Sequence, residues 1–176
     1  MPRAFIGIGS NIEPEENIRE ALRLLAKSAR IVSISTFYRE PAVDRPEEPD
    51  FYNGVVAIDT DLSPITLKWK VLRAIEAALG RRRSADKYAS RTIDLDLLLY
   101  GDSVLSSNEL TLPEPDVLKR AFIAVPLSEI APELVLPGFG IPIRQLAERL
   151  PTEGMQPLCE YTRQLRNKLL DGNNSS

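Results

Sequence analysis

Two aspartates one residue apart, Asp94 and Asp96, lie in the segment Arg91-Thr92-Ile93-Asp94-Leu95-Asp96-Leu97-Leu98-Leu99-Tyr100. Alternate side chains of a strand share a face. Ile93, Leu95, Leu97 and Leu99 then form one apolar row. The two carboxylates point the other way, with Cα atoms roughly 6.6 Å apart. Like charges so placed repel, and a divalent cation between them reverses that cost. A pair of cations can clamp both ends of a polyphosphate. A solvated strand face satisfies the same alternation, so both readings stand on this segment alone.

The preceding loop is basic: Arg81, Arg82, Arg83, Lys87 and Arg91, opposed only by Asp86. Cations beside a carboxylate pair suit a metal–phosphate complex, with metal on the acids and arginines on the free phosphate oxygens. A solvated charge run at a helix C-terminus has the same composition. RNA binding is a further alternative. Against it, the loop carries one aromatic, Tyr88, and the strands show no aromatic RNA-binding signature.

Phe51 and Asn53 fall on one face of a predicted strand, and Arg120-Ala121-Phe122 follows later in the chain. Two aromatics and an amide can hold a flat heterocycle, rings on its faces and the amide at its edge. A core aromatic with a turn-proximal asparagine is the alternative. Gly7-Ile8-Gly9-Ser10-Asn11 follows a strand but lacks the third glycine of a dinucleotide fingerprint, which is Ile12 here. Its glycines fit close backbone approach and a tight turn.

Composition narrows the chemistry. The chain has 176 residues, 43% apolar and 27% charged, with net charge −3. That suits one domain with a real core and disfavours bulk electrostatic binding of nucleic acid. There is no histidine and a single cysteine, Cys159. Histidine-based nucleophile arrangements, histidine-ligated metals, an intrachain disulfide and thiolate clusters are all excluded. Proton transfer falls to carboxylate, lysine, tyrosine or solvent, and any metal to a hard cation held by oxygen. No run reaches the ~18 apolar residues of a membrane span, and the N-terminus lacks a signal-peptide core. A cytoplasmic protein is expected.

These residues need elements to hold them. Residues 4–9, 30–40, 51–59 and 92–100 read as strands. Between the first two, Pro14 starts a helix on which Ile18, Ala21, Leu22, Leu25 and Ala29 recur at helical spacing. Ser63-Pro64 starts a second helix over 65–79, closed by Gly80. Short strands are expected at 103–105 and 109–112, and short helices at about 116–131, 142–150 and 158–170. The order strand–helix–strand–strand–helix–strand is the ferredoxin-like βαββαβ arrangement, an α+β fold with a mainly antiparallel sheet and helices packed on it. Residues 1–158 form the expected domain, and 159–176 a C-terminal helical extension and polar tail.

Together these segments resemble the 6-hydroxymethyl-7,8-dihydropterin pyrophosphokinase family over residues 4–150. The resemblance rests on Ile8-Gly9-Ser10-Asn11, Phe37-Tyr38-Arg39, Asp50-Phe51-Tyr52-Asn53, the segment from Arg91 to Leu98, Leu110-Thr111-Leu112-Pro113, Arg120-Ala121-Phe122 and Pro126-Leu127. It implies transfer of diphosphate from ATP to the hydroxymethyl group of a reduced pterin, leaving AMP. With the charge and hydropathy above, a monomer with no nucleic-acid or membrane partner is expected. The resemblance further implies two Mg2+ ions held by Asp94 and Asp96, with Asp96 assisting deprotonation of the pterin hydroxyl. Arg81 and Arg91 would stabilise charge on the transferring group. Phe51 and Phe122 would sandwich the pterin, while Asn53 and backbone near Pro41 and Val43 read its edge. Glu76, Arg83, Tyr88, Arg91, Leu97, Thr111 and Arg120 fall at nucleotide-side positions. The segments 41–49 and 81–90 match loops that close over substrates. The chain departs from the family pattern at Tyr88-Ala89-Ser90 in place of Trp-Gly-Pro, at Glu114 in place of a histidine, and at Glu109 in place of an arginine. A binding module without catalysis is the alternative of a different class, separated by magnesium-dependent turnover.

Overall fold

The computed structural model describes residues 1–42, 47–80 and 93–170. Strand β1 (Arg3–Ser10) is followed by helix α1 (Pro14–Leu25), β2 (Arg30–Ile34), β3 (Tyr38–Glu40) and β4 (Phe51–Asp59). One helical segment follows: α2 (Pro64–Thr66), a π-helical turn (Leu67–Leu72) and α3 (Arg73–Ala78). Then come β5 (Asp94–Tyr100), β6 (Leu105–Ser106), β7 (Thr111–Leu112), a 3-10 turn (Pro115–Leu118), α4 (Ala121–Ile130), α5 (Ile143–Arg149), β8 (Gln156–Pro157) and α6 (Cys159–Leu169).

The main sheet runs β5-β1-β4-β3-β8, with β2 also on β4, and its pairings are antiparallel. Counting β2 and β3 as the second strand, this is the strand order of the ferredoxin-like fold anticipated from the sequence. The helices form where periodicity requires them. In α1, proline opens the first turn, Glu15 and Glu16 complement the dipole, and Ile18, Ala21, Leu22 and Leu25 are all buried.

Two apolar cores flank the sheet. On one face α1, α3 and α6 pack over Ala4, Ile6, Ile8, Val56, Ile58, Leu95 and Leu97. On the other, α4 and α5 cover Phe5, Val55, Ala57, Leu98 and Leu99. Leu99 is therefore not in the row of Ile93, Leu95 and Leu97 that simple alternation predicts. The β1–β5 register shifts between Phe5 and Ile6, pairing Phe5 with Leu99 and Ile6 with Leu97. Leu98 is the extra residue of a β-bulge, so it and Leu99 both reach the second core.

The expected strand 30–40 is interrupted. Ser35 exchanges bonds with Val55, its N–H donating to the Val55 carbonyl and its Oγ accepting from the Val55 N–H, both at 2.9 Å. Phe37 then turns into the first core with no exposed surface. Its N–H donates to Thr162 Oγ1 (2.9 Å), and its carbonyl accepts from the Leu158 N–H (2.8 Å). Helix α6 is thus packed into the core: Tyr161 and Leu165 are buried, and Tyr161 Oη donates to the Glu15 carbonyl. The helix expected at 116–131 is likewise divided, into the 3-10 turn and α4.

Gly54 tests this packing. A Cβ there would lie 2.7 Å from three atoms of the Phe37 ring, which is locked in the core. Gly54→Ala should lower stability by about 2 kcal/mol, as overpacking does, read as a lower midpoint in urea. An unchanged midpoint would show that the ring has room to move.

Candidate active site

The second sheet face is apolar only where α4 and α5 cover it. Beyond Phe5, Val55 and Leu98 the same face continues as Gly7 and Gly9 on β1, Asn53 and Phe51 on β4, Asp96 and Asp94 on β5, and Glu40 on β3. The register sets these in rungs. Tyr38, Asn53, Gly9 and Asp94 are successive partners across four strands. Val55, Gly7 and Asp96 form the next rung, and Glu40 pairs with Phe51 on the other side. The glycines leave the sheet bare between the aspartates and Asn53. A Cβ on Gly9 would meet Asn53 Oδ1 at 2.6 Å, so glycine there gives the amide its position.

Above this floor lies a cavity of about 310 Å³ lined by Gly7, Gly9, Glu40, Phe51, Asn53, Asp94 and Asp96 together with Pro41, Ala42, Asp116, Arg120 and Phe122. Phe122 sits in the first turn of α4. The Glu114 N–H donates to the Leu98 carbonyl (2.9 Å) and docks the 3-10 turn on β5. That turn presents Asp116, whose carbonyl accepts from the Arg120 N–H at 2.9 Å.

Asp96 is the most perturbed acid of the floor. Burial raises its pKa well above the usual carboxylate range, and the charges of Asp94, Glu114 and Glu76 raise it further, against Arg73. Burial, with the nearby Asp116 charge, also raises Glu114, while Lys68 and a backbone hydrogen bond oppose this. Lys68 is therefore the basic side chain that acts on Glu114 in the described structure. A divalent cation answers the clustered negative charge. Among the described residues no group of three or more His, Cys, Asp and Glu side chains could hold a metal alone. Two carboxylates completed by phosphate and water oxygens are, however, a usual donor set for Mg2+. The residues present fit that ion.

Behind β5, Glu76 and Arg73 clamp the strand between the two aspartates. The Leu95 N–H donates to Glu76 Oε2 (2.9 Å), Arg73 Nη1 donates to Glu76 Oε1 (2.9 Å), and the same Nη1 donates to the Leu95 carbonyl (3.1 Å). Glu76 is only 2% exposed. It stands on the opposite side of the sheet from the cavity.

The expected pterin-side residues Pro41, Phe51, Asn53 and Phe122 line one cavity with Asp94 and Asp96. Arg120, expected on the nucleotide side, lines that same cavity. Leu97 has its side chain in the first core, away from it, and Thr111 lies in the small β6–β7 sheet. Val43, Arg81, Arg83, Tyr88 and Arg91 lie outside the described residues. Sequence reasoning missed Glu40 and Asp116, both at the cavity wall. An acid three residues after Phe37 was a visible signal, but only the β3–β4 pairing aims it inward.

Asn53 Nδ2 donates to Glu40 Oε1 at 2.6 Å. Burial pushes the Glu40 carboxyl up to about 7, opposed by the Asn53 hydrogen bond and the Arg120 charge. A carboxyl raised on folding binds its proton more tightly in the native state, so native stability falls as pH climbs from about 4.5 to 7. Glu40→Gln removes that loss. Its melting temperature relative to the unsubstituted protein should rise by ~2–4 °C between pH 5 and pH 8, equivalent to about 1 kcal/mol after solvent screening. A difference independent of pH would place Glu40 in water-like surroundings.

Fold and cavity together define a class: an α+β protein of ferredoxin-like strand order with a carboxylate pair and two aromatic rings lining one cleft. Comparison with known proteins agrees. The model of the 7,8-dihydro-6-hydroxymethylpterin-pyrophosphokinase family matches residues 5–132. The chain is 39% identical over 140 residues to the 2-amino-4-hydroxy-6-hydroxymethyldihydropteridine pyrophosphokinase of Haemophilus influenzae, covering 78% of this chain and 86% of that one. It is 37% identical over 161 residues to the enzyme of the same name from Pseudomonas aeruginosa, covering 90% and 98%. Among solved structures, wild-type HPPK-DHPS of Plasmodium falciparum with SDX-DHP superposes with a TM-score of 0.68 at 16% identity. That match covers 89% of this chain and 47% of the longer one, and it speaks for the fold. The chain belongs to the 7,8-dihydro-6-hydroxymethylpterin-pyrophosphokinase family, whose members are pyrophosphokinases of folate biosynthesis. Among the described residues no helix is long and apolar enough to cross a membrane.

Proposed function

We propose that the protein transfers diphosphate from ATP to the hydroxymethyl oxygen of 6-hydroxymethyl-7,8-dihydropterin, with Mg2+ bound at Asp94 and Asp96. The observation that carries this reading is the shared floor: both aspartates and the Phe51–Asn53–Phe122 pocket line one cavity over two glycines. In the reaction the pterin oxygen bonds to the β-phosphorus. The bond from that phosphorus to the α–β bridging oxygen breaks, and AMP leaves with the bridging oxygen. Mg2+, when bound, neutralises phosphate charge and polarises the transferring group. Asp96, on the cavity floor beside Asp94, would take up the hydroxyl proton once that oxygen is positioned. Phe51 and Phe122 exclude water from the ring faces, and Asn53 orients the ring at its edge. Together they hold the hydroxymethyl group toward β5, so that part of the barrier is met by positioning. The net charge of −3 speaks against bulk electrostatic binding of nucleic acid, and the single cysteine, Cys159, fits a reducing cytoplasm.

The test is product analysis. Purified protein with ATP, Mg2+ and 6-hydroxymethyl-7,8-dihydropterin should release AMP and pterin diphosphate in equal amounts, and chelation of the metal should stop it. Release of ADP, or turnover unaffected by chelation, would overturn the assignment.

A further inference from the structure

Glu40 stands at the wall of the cavity opposite the phosphate-directed aspartates. It lies on β3 and they lie on β5, three strand spacings away, or roughly 14 Å across the sheet. A 6-hydroxymethyl pteridine with its hydroxyl directed at β5 presents its far end to β3. That far end is the edge carrying the 2-amino group and N3–H, two N–H donors side by side. Their spacing matches the two oxygens of a carboxylate, as the fork of a guanidinium does.

The free protein holds Glu40 ready for such donors. Oε1 accepts from Asn53 Nδ2 at 2.6 Å, which fixes the carboxylate plane. Oε2 makes no hydrogen bond among the described residues, and Glu40 has no ion-pair partner there. Arg120, at the same cavity, acts on Glu40 only through its longer-range charge. Asn53 is held in turn by the space above Gly9. A carboxylate oxygen facing a cavity with its other oxygen anchored is an acceptor awaiting a donor.

We propose that Glu40 is a specificity-determining residue of the heterocycle subsite, accepting from the 2-amino group and N3–H and so selecting 2-amino-4-oxo rings over their 2-oxo analogues. This rests on the reading of the cavity as a reduced-pterin site. A 2-oxo ring sets a carbonyl oxygen against the carboxylate. That contact repels and replaces the 2-amino donor by an acceptor, leaving N3–H alone to donate, the situation in which a polar site discriminates strongly.

The experiment titrates 6-hydroxymethylpterin and 6-hydroxymethyllumazine, its 2-oxo counterpart, into the protein and its Glu40→Gln variant. Mg2+ and a non-hydrolysable ATP analogue are present throughout. The unsubstituted protein should prefer the pterin by about 100-fold or more. Glu40→Gln should lose about 10- to 100-fold in pterin affinity and lose none for the lumazine, because its amide can turn to donate to the 2-oxo group. The preference therefore collapses. Glu40→Asp, which keeps the charge, should retain part of it, and this variant carries the test if the glutamine variant does not fold. Equal weakening toward both ligands, or an unaltered preference, would overturn the assignment. If the unsubstituted protein releases AMP with the pterin yet shows no preference, the inference fails and the proposed reaction stands. If it neither binds the pterin nor releases AMP, the proposed reaction fails and the inference falls with it.

Discussion

Asp96→Asn should lower turnover by about a hundredfold or more, with no loss of stability. The two halves of that outcome belong together. Asp96 lies beside Asp94 and Glu114 on a floor where burial and like charge hold its carboxyl well above its ordinary pKa. In the metal-free protein its ionisation opposes folding as pH rises through the native value, because the unfolded chain ionises more readily. The isosteric amide removes that opposition. The variant's melting temperature relative to the unsubstituted protein should be higher at pH 8 than at pH 5. Turnover should fail, because the amide neither takes up a proton nor offers the anionic oxygen that Mg2+ requires. Melting curves at both pH values and magnesium-dependent AMP release check the two halves. Near-normal turnover would remove Asp96 from the chemistry. A large drop in melting temperature would make it a structural group.

Glu76→Ala should cost about 3 kcal/mol of stability, in the range for breaking a buried ion pair from one side. In a domain of this size that is a fall of about 6–12 °C in melting temperature. Glu76 accepts from both the Leu95 N–H and Arg73, while Arg73 also donates to the Leu95 carbonyl. Truncation leaves the Leu95 N–H without its acceptor and takes the carboxylate from beside the Arg73 guanidinium, which keeps only the Leu95 carbonyl of these two acceptors. Because Leu95 lies between Asp94 and Asp96, the loss should reach the cavity from behind. Turnover should fall even at temperatures where the variant is fully folded. Glu76→Gln keeps an acceptor for the Leu95 N–H and should be milder on both counts. An alanine variant that melts within 2 °C of the unsubstituted protein would show that the clamp does not hold β5.

These two residues were legible in the sequence to different depths. Asp96 declared itself through alternation, since period two is a local property and Asp94, Asp96 and their apolar neighbours needed no partner strand to be sorted. Glu76 could be placed on a helix but not given its task, because its partner Leu95 lies on another element. Phe51 and Asn53 were likewise sorted onto one face by alternation alone. Arg120 and Phe122 were marked as chemistry-bearing, but the 3-10 turn and α4 that bring them over the sheet were read as one helix. Leu99 was misassigned because a bulge is a property of a pair of strands, and the register shift opposite Phe5 and Ile6 leaves no mark in the periodicity of either strand.

The sequence by itself determined the chemistry available and the elements that carry it. A chain without histidine and with one cysteine must work through carboxylates, amides, arginines and rings. The periodicities of residues near in sequence were enough to order strands and helices into an α+β fold. The tertiary structure alone decided which face of the sheet is open. Phe5, Val55 and Leu98 are covered by α4 and α5, while Gly7, Gly9 and Asn53 on the same face are not. It alone set Glu40 opposite Phe51 and drew α6 into the core through Phe37. The physical reason is common to these cases. Side-chain direction within a strand or helix follows from local backbone geometry, whereas strand register and the coverage of a face follow from contacts between residues far apart in the chain, which no local pattern encodes.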